Sequence, residues 1–481
     1  MKHIVQSIVF FIIFHSAVSA QHIVSVTEKG SYTKQQIISL FNIPLIKYGV
    51  KFYKVTYTSS DAKGKPDTLS GLLVVPNDAG SVYPALVYQH GTSDCKTCVP
   101  SRLGTSGGEE GQLGLLFAGM GFVSLLPDYV GMGDGRGFQT YVHAATTVSA
   151  TDDMLTAVRS WMPDNGISTN NQLFITGYSQ GGYASMVFHE GMQKKYGASS
   201  VTAAAHLSGP YDLYGIMRNL IISEKAYFYP AYIPNTFLGM NEVDNYYQNL
   251  EDFFKPEYIS DISSYYNGKI KLSELNTRLI QKLTTNTGAS VGGRLIRPEI
   301  LEEIKTNPDY WINTVLSKND AYKWVPESPT RLFYCKADDQ VPYLNSIVAR
   351  DSMYSRGANP NTLIVTDVNS NADHGQCVTP ALTQTLLFFL TYQSITTSTQ
   401  DVQISGLNVY PNPAQDKIFV DGKLNQADVI IWDMSGRQRI VLQNTDLHDG
   451  INVTSLESGI YIMTLSDDNG AIDNKKIVIK R

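Results

Sequence analysis

Gly177-Tyr178-Ser179-Gln180-Gly181 sets one serine between two glycines, and Gly182 follows directly. The residues before it, Leu173-Phe174-Ile175-Thr176, are apolar or β-branched and predict a short buried strand. The residues after it, from Tyr183 to Lys195, predict a helix. A strand that turns straight into a helix around G-x-S-x-G is a nucleophile elbow. The glycines make room for a strained turn, and the serine hydroxyl stands clear at the positive end of the helix. Such a serine can attack a carbonyl carbon if a histidine takes its proton and a carboxylate orients that histidine. The same five residues also fit an ordinary strand–helix turn with a spare serine, so the partners decide.

In this arrangement the partners follow in the order serine, acid, histidine. Asp338 and Asp339 end the predicted strand around Arg331-Leu332-Phe333-Tyr334-Cys335, and His374 follows the last predicted strand of the same region. The only later histidine, His448, lies in a different kind of segment. His206 sits within a predicted strand and His189 on the helix after the serine, which makes them poor bases. Asp338, three residues before Val341, is the preferred acid, with Asp339 facing solvent or capping the helix that follows. The negative oxygen of a tetrahedral intermediate needs backbone donors. The N–H of Gln180 is the first candidate. The N–H of Thr92 is the second, with Gly91 as the small residue that lets the backbone approach and His90 as a structural neighbour.

Cys335 precedes Asp338 by three residues and Cys377 follows His374 by three. If the acid and base loops meet, these cysteines meet as well. The expected pairs are therefore Cys335–Cys377 and Cys95–Cys98. A zinc site at Cys95-Lys96-Thr97-Cys98 would need a second ligand pair, which is not nearby in the sequence. No metal and no organic cofactor is expected.

The elements that would hold these residues form three blocks. The first twenty residues, two early basic side chains before a short apolar run ending in Ala17-Val18-Ser19-Ala20, predict a signal peptide cleaved before Gln21. Export favours disulfides. From residue 21 to about 393 a hairpin gives way to strands alternating with helices, the pattern of a mostly parallel sheet covered on both faces. The alternation is interrupted from about Tyr214 to Glu327 by an aromatic-rich helical stretch, a candidate lid or pocket wall. Residues 394–404 read as a polar linker, and 405–481 as short strands between turns, a small all-β, sandwich-like domain. The 481-residue chain carries a net charge of −6, and nothing in it points to nucleic acid.

The motifs "QHGT", "PDYVGMGDG", "GYSQGG", "ADDQVP" and "DHGQC", in this order between Lys51 and Thr391, resemble the α/β-hydrolase superfamily. More narrowly they resemble its secretory-lipase branch, in which a helical lid sits between later strands. Asp128, Gly131 and Gly133 read as a structural turn. The terminal module, with "YPNPAQD", "DMSGR" and "KKIVIK", resembles the C-terminal sorting domain of the type IX secretion system. That resemblance implies passage through the periplasm and outer membrane to the surface or medium, with the secretion machinery as a partner. The resulting expectation is a secreted serine hydrolase of carboxylic esters, acting on a small ester or lipid. A prolyl-oligopeptidase-like peptidase shares fold and triad, but leaves no room here for the usual propeller. A binding protein on an inactive hydrolase fold would lack a triad member.

Overall fold

The computed structural model describes residues 22–78, 80–397, 407–422, 424–466 and 472–481. The expected signal peptide and residues 398–404 of the expected linker lie outside them.

A hairpin-rich start leads into the sheet. Strand β1 (Ile23–Tyr32) is followed by helix α1 (Lys34–Phe41), β2 (Val50–Ser60), β3 (Pro66–Pro76) and β4 (Ser81–Gln89). Then come α2 (Gln112–Gly119), β5 (Val123–Pro127), α3 (Ala144–Trp161), β6 (Ser168–Tyr178), α4 (Gln180–Tyr196) and β7 (Ala203–Leu207). The strands lie in the order β1-β2-β3-β5-β4-β6-β7, continued below by two more. Pairing is antiparallel from β1 to β5 and parallel from β5 onward. β1 is absent from the expectations above. It lies at the edge of the sheet and is mostly exposed, so its sequence shows little alternation.

The central parallel strands β4 and β7 are buried on both faces, as their continuous apolar sequences require. Met154, Leu155 and Val158 of α3 and Phe188 of α4 fill one face. Leu115 and Phe117 of α2 and Leu386 and Phe389 of the last helix fill the other.

After β7 the chain leaves the sheet for a helical insertion: α5 (Arg218–Ile222), α6 (Tyr232–Asp244), α7 (Pro256–Tyr266), α8 (Leu272–Thr287), α9 (Pro298–Thr306) and α10 (Trp311–Lys318). It has a core of its own, with Phe237, Phe254, Tyr258, Leu279 and Ile312 fully buried, and that core continues onto Tyr183 and Met186 of α4. The chain returns through β8 (Thr330–Tyr334), α11 (Leu344–Ser355), β9 (Leu363–Asp367) and α12 (His374–Leu390). β8 and β9 extend the parallel edge beside β7.

Residues 394–397 of the expected linker contact the sheet. Ser394 N–H donates to Gln172 Oε1 at 2.7 Å, and β10 (Thr396–Thr397) pairs with β4. These residues finish the sheet domain.

The last unit contains β11 (Asn408–Tyr410), β12 (Lys417–Asp421), β13 (Gln426–Asp433), β14 (Gln438–Asp446), β15 (Ile451–Asn452), β16 (Gly459–Ser466) and β17 (Ile472–Ile479). A three-stranded sheet, β11-β12-β15, and a four-stranded one, β14-β13-β16-β17, share a core of Ile418, Val429, Ile431, Met463, Leu465 and Ile477. This is the sandwich-like domain that its short alternating strands predict.

Candidate active site

Ser179 stands between β6 and α4 with φ 60° and ψ −123°, a backbone state that non-glycine residues rarely adopt. The glycines around it are sterically required. A Cβ on Gly177 would meet the Gly181 carbonyl oxygen at 2.3 Å, and one on Gly181 would meet the Gln89 carbonyl oxygen at 2.0 Å. The turn is tied across the sheet by Ser179 N–H, which donates to the Leu207 carbonyl at 2.9 Å.

The C-terminal ends of β8 and β9 bring two loops to this serine. His374 Nε2 lies 2.9 Å from Ser179 Oγ, and its Nδ1 lies 2.7 Å from Asp338 Oδ2. The Asp338 carboxylate is buried, and its other oxygen accepts from the N–H groups of Gln340 at 3.0 Å and Val341 at 2.8 Å. Those bonds satisfy the carboxylate and fix its direction. With Nδ1 donating to Asp338, Nε2 is left as the acceptor for the serine proton.

Two further contacts hold the histidine's backbone. Asp339 Oδ1 accepts from His374 N–H at 3.2 Å, and the Tyr178 hydroxyl donates to the His374 carbonyl at 2.6 Å. Asp339 is exposed, as one of its two expected placements has it, and it also reaches the start of α12. His374 is the first residue of that helix, and Asp373 and Gln376 form a capping box around its start. Burial, with Asp338 nearby, pushes the Tyr178 phenol well above its usual range, so it stays a donor. Cys335 and Cys377 form a disulfide, as do Cys95 and Cys98. The first links the end of β8 to α12 one turn beyond His374; the second excludes the zinc reading.

His206, His189 and His90 are tied up elsewhere. His206 Nδ1 contacts Ser185 Oγ at 2.7 Å and His189 Nε2 contacts Ser328 Oγ at 2.8 Å, while the two rings meet at 3.3 Å. Burial lowers the His189 pKa to about 3, and burial with His189 beside it lowers that of His206. His90 is buried against Tyr129, its Nδ1 2.7 Å from the Gly91 carbonyl oxygen.

Gln180, the first residue of α4, presents its N–H at the helix N-terminus beside Ser179. Thr92 lies on the loop after β4, its hydroxyl 3.1 Å from that of Tyr141. A Cβ on Gly91 would meet the Tyr178 carbonyl oxygen at 3.6 Å, an ordinary contact. Asp128 accepts from Ser70 Oγ at 2.6 Å and Ser101 N–H at 3.0 Å, and is a structural turn residue.

A narrow cavity of about 60 Å³ opens at Ser179 beneath the insertion. Its wall is largely apolar, including Val142, Leu213, Ile221, Ile233 and Leu316. Of the aromatic residues in the insertion, Tyr227 and Tyr232 line this cavity, whereas Phe237, Phe253, Phe254 and Tyr258 fill the insertion's own core. The Tyr227 hydroxyl donates to the Gln340 carbonyl at 3.0 Å and that of Tyr232 to Gln340 Oε1 at 2.9 Å. The pocket wall thus also steadies the acid loop. Tyr178, Asp339 and Gln340 carry no sequence motif for these roles, since each acts through a contact between distant segments.

Comparison with known proteins agrees with this architecture. Residues 113–247 match the prolyl oligopeptidase family, and residues 408–480 match the secretion system C-terminal sorting domain. No curated protein matches the chain by sequence. A Legionella pneumophila protein described as a hydrolase is similar in structure, with a TM-score of 0.69 at 23% identity, over 77% of this chain and 98% of that one. The rice cell wall degrading esterase LipA from Xanthomonas oryzae gives 0.65 at 23% identity, over 77% and 97%. Candida antarctica lipase A in its closed state gives 0.57 at 12% identity, over 77% and 81%. The chain has the α/β-hydrolase fold, followed by a type IX secretion system sorting domain that directs it to the cell surface or medium.

Proposed function

We propose that this exported protein is a serine carboxylester hydrolase acting on esters of short acyl chains. The observation that carries the reading is the unbroken hydrogen-bond path from Ser179 Oγ through His374 to Asp338, ending at the mouth of an apolar cavity. Ser179 attacks the ester carbonyl while His374 Nε2 takes its proton. Asp338 holds the ring and stabilises the imidazolium that forms. The N–H of Gln180 and the N–H of Thr92 receive the oxyanion. His374 returns the proton to the departing alcohol, leaving an acyl-enzyme. A water, activated by the same histidine, then frees the acid.

The acyl group occupies the cavity. At roughly 10–15 Å³ for each water-sized group, this space suits an acyl chain of a few carbons. The prolyl-oligopeptidase match keeps a peptidase as the second reading. A peptide brings N–H and C=O groups that need partners, and a wall of Val142, Leu213, Ile221, Ile233 and Leu316 supplies few. The esterase LipA and lipase A among the structural neighbours also favour the ester.

A panel of p-nitrophenyl esters of rising chain length, run beside a chromogenic proline peptide, tests the choice. Turnover should peak on short acyl esters, with the peptide left intact. Peptide cleavage without ester cleavage would reverse the assignment.

A further inference from the structure

Helix α8 begins without a cap of its own. Lys271 occupies the capping position, and its side chain makes no capping hydrogen bond. The first amides of the helix are nevertheless satisfied by one distant residue. Leu272 N–H donates to the Asp94 carbonyl oxygen at 2.9 Å, and Ser273 N–H donates to the Asp94 carboxylate at 2.7 Å. The Ser273 hydroxyl donates to the second carboxylate oxygen at 3.0 Å, and Lys271 Nζ lies 3.8 Å from that same oxygen. Asp94 thus does across the fold what a serine or aspartate usually does at a helix's own start.

Asp94 is also two residues beyond Thr92, on the loop that follows β4. Other anchors of this loop lead to the segment between β5 and α3. The Thr92 hydroxyl meets Tyr141, the Lys96 carbonyl accepts from Gly133 N–H at 2.9 Å, and Lys96 Nζ donates to the Gly137 carbonyl at 2.8 Å. The Cys95–Cys98 disulfide closes the loop on itself. Asp94 adds an anchor on the insertion. Helix α8 is a firm post for it, because Leu275, Leu279 and Leu283 are fully buried and Asn276 Oδ1 accepts from Ala231 N–H at 3.2 Å.

We propose that Asp94 is a positioning residue, through which the helical insertion holds the Thr92 backbone in register with the oxyanion of the intermediate. The inference rests on the serine-esterase reading and on Thr92 N–H as an oxyanion donor. It gives the insertion a part in the chemistry besides forming the acyl wall. A donor displaced by about 1 Å forfeits much of its stabilisation of the transition state while leaving ground-state binding nearly intact.

The test uses the full chain, the substitution Asp94→Ala, and the double substitution Asp94→Ala with Lys271→Asp. The second change returns a side-chain cap to α8 without restoring the carboxylate bonds from the loop to Ser273, and so also rescues folding if the single variant is unstable. On p-nitrophenyl butyrate, kcat should fall about 10- to 100-fold in both variants with KM within about twofold. Affinity for a trifluoromethyl ketone, which forms an oxyanion on the serine, should fall by the same factor as kcat. Lys271→Asp should raise the melting temperature of the single variant without returning kcat. Unchanged kcat in Asp94→Ala, or kcat restored together with melting temperature, would reduce Asp94 to a helix cap. A wild-type protein inactive on every ester would remove both this inference and the esterase reading, whereas an active wild type with an unaffected variant removes this inference alone.

Discussion

The Tyr178 hydroxyl donates to the backbone carbonyl of His374 at 2.6 Å. Tyr178 is the residue before Ser179, so the strand that presents the nucleophile also grips the residue that would activate it. The bond spans 196 positions of sequence.

Tyr178→Phe removes only that hydroxyl. One buried hydrogen bond contributes about 0.5–1.5 kcal/mol, and its loss frees the start of α12. Ester turnover should drop several-fold, with KM little changed. Comparing kcat and KM with the melting temperature separates positioning from stability. A lower melting temperature with full kcat would limit Tyr178 to packing.

The paired aspartates should rank unequally. Asp338→Asn presents an amide to His374 Nδ1 and favours the wrong tautomer, at a cost of about four orders of magnitude in kcat in a well-studied triad. Asp339→Asn keeps an oxygen that can accept from His374 N–H, so its loss should stay within about tenfold. Steady-state kinetics of the two variants decide, and the opposite ranking would move the acid to Asp339.

Cavity-lining and core residues of the insertion should behave differently. Ile221→Ala widens the wall at the cavity, and each extra methylene accommodated contributes about 0.8 kcal/mol, roughly fourfold in kcat/KM. The preferred ester should therefore lengthen. Phe237→Ala, in the fully buried core, should instead cost about 3–5 kcal/mol of stability and leave the chain-length profile of the folded fraction unaltered. An unchanged profile in Ile221→Ala would detach the cavity from the acyl group.

A chain ending after Thr397 keeps β10 on the sheet and omits the sorting domain. It should fold, hydrolyse esters, and accumulate in the periplasm. Activity assays on periplasm and medium show where it goes; efficient appearance in the medium would contradict the dependence on the C-terminal domain.

Much of the site was legible because its signals are local. The elbow shows itself in three glycines and a serine within six residues, and the order of acid and base narrows the rest to His374 with Asp338 or Asp339. The cysteines then pair because they flank those residues. What stayed hidden depends on contacts between distant segments. Asp94 caps a helix 179 positions away, and Asp339 reaches across 35 to His374. Neither leaves a pattern in its own neighbourhood. β1 was missed because an exposed edge strand needs few apolar residues.

The central claim is that Ser179 carries the acyl group. Rapid mixing with p-nitrophenyl butyrate, followed by acid quenching and peptide mass mapping, tests it most directly. The account predicts a burst of nitrophenol close to one equivalent and a butyryl adduct on the peptide containing Ser179, both absent from Ser179→Ala. Steady ester turnover in Ser179→Ala, or an adduct on another residue, would contradict it.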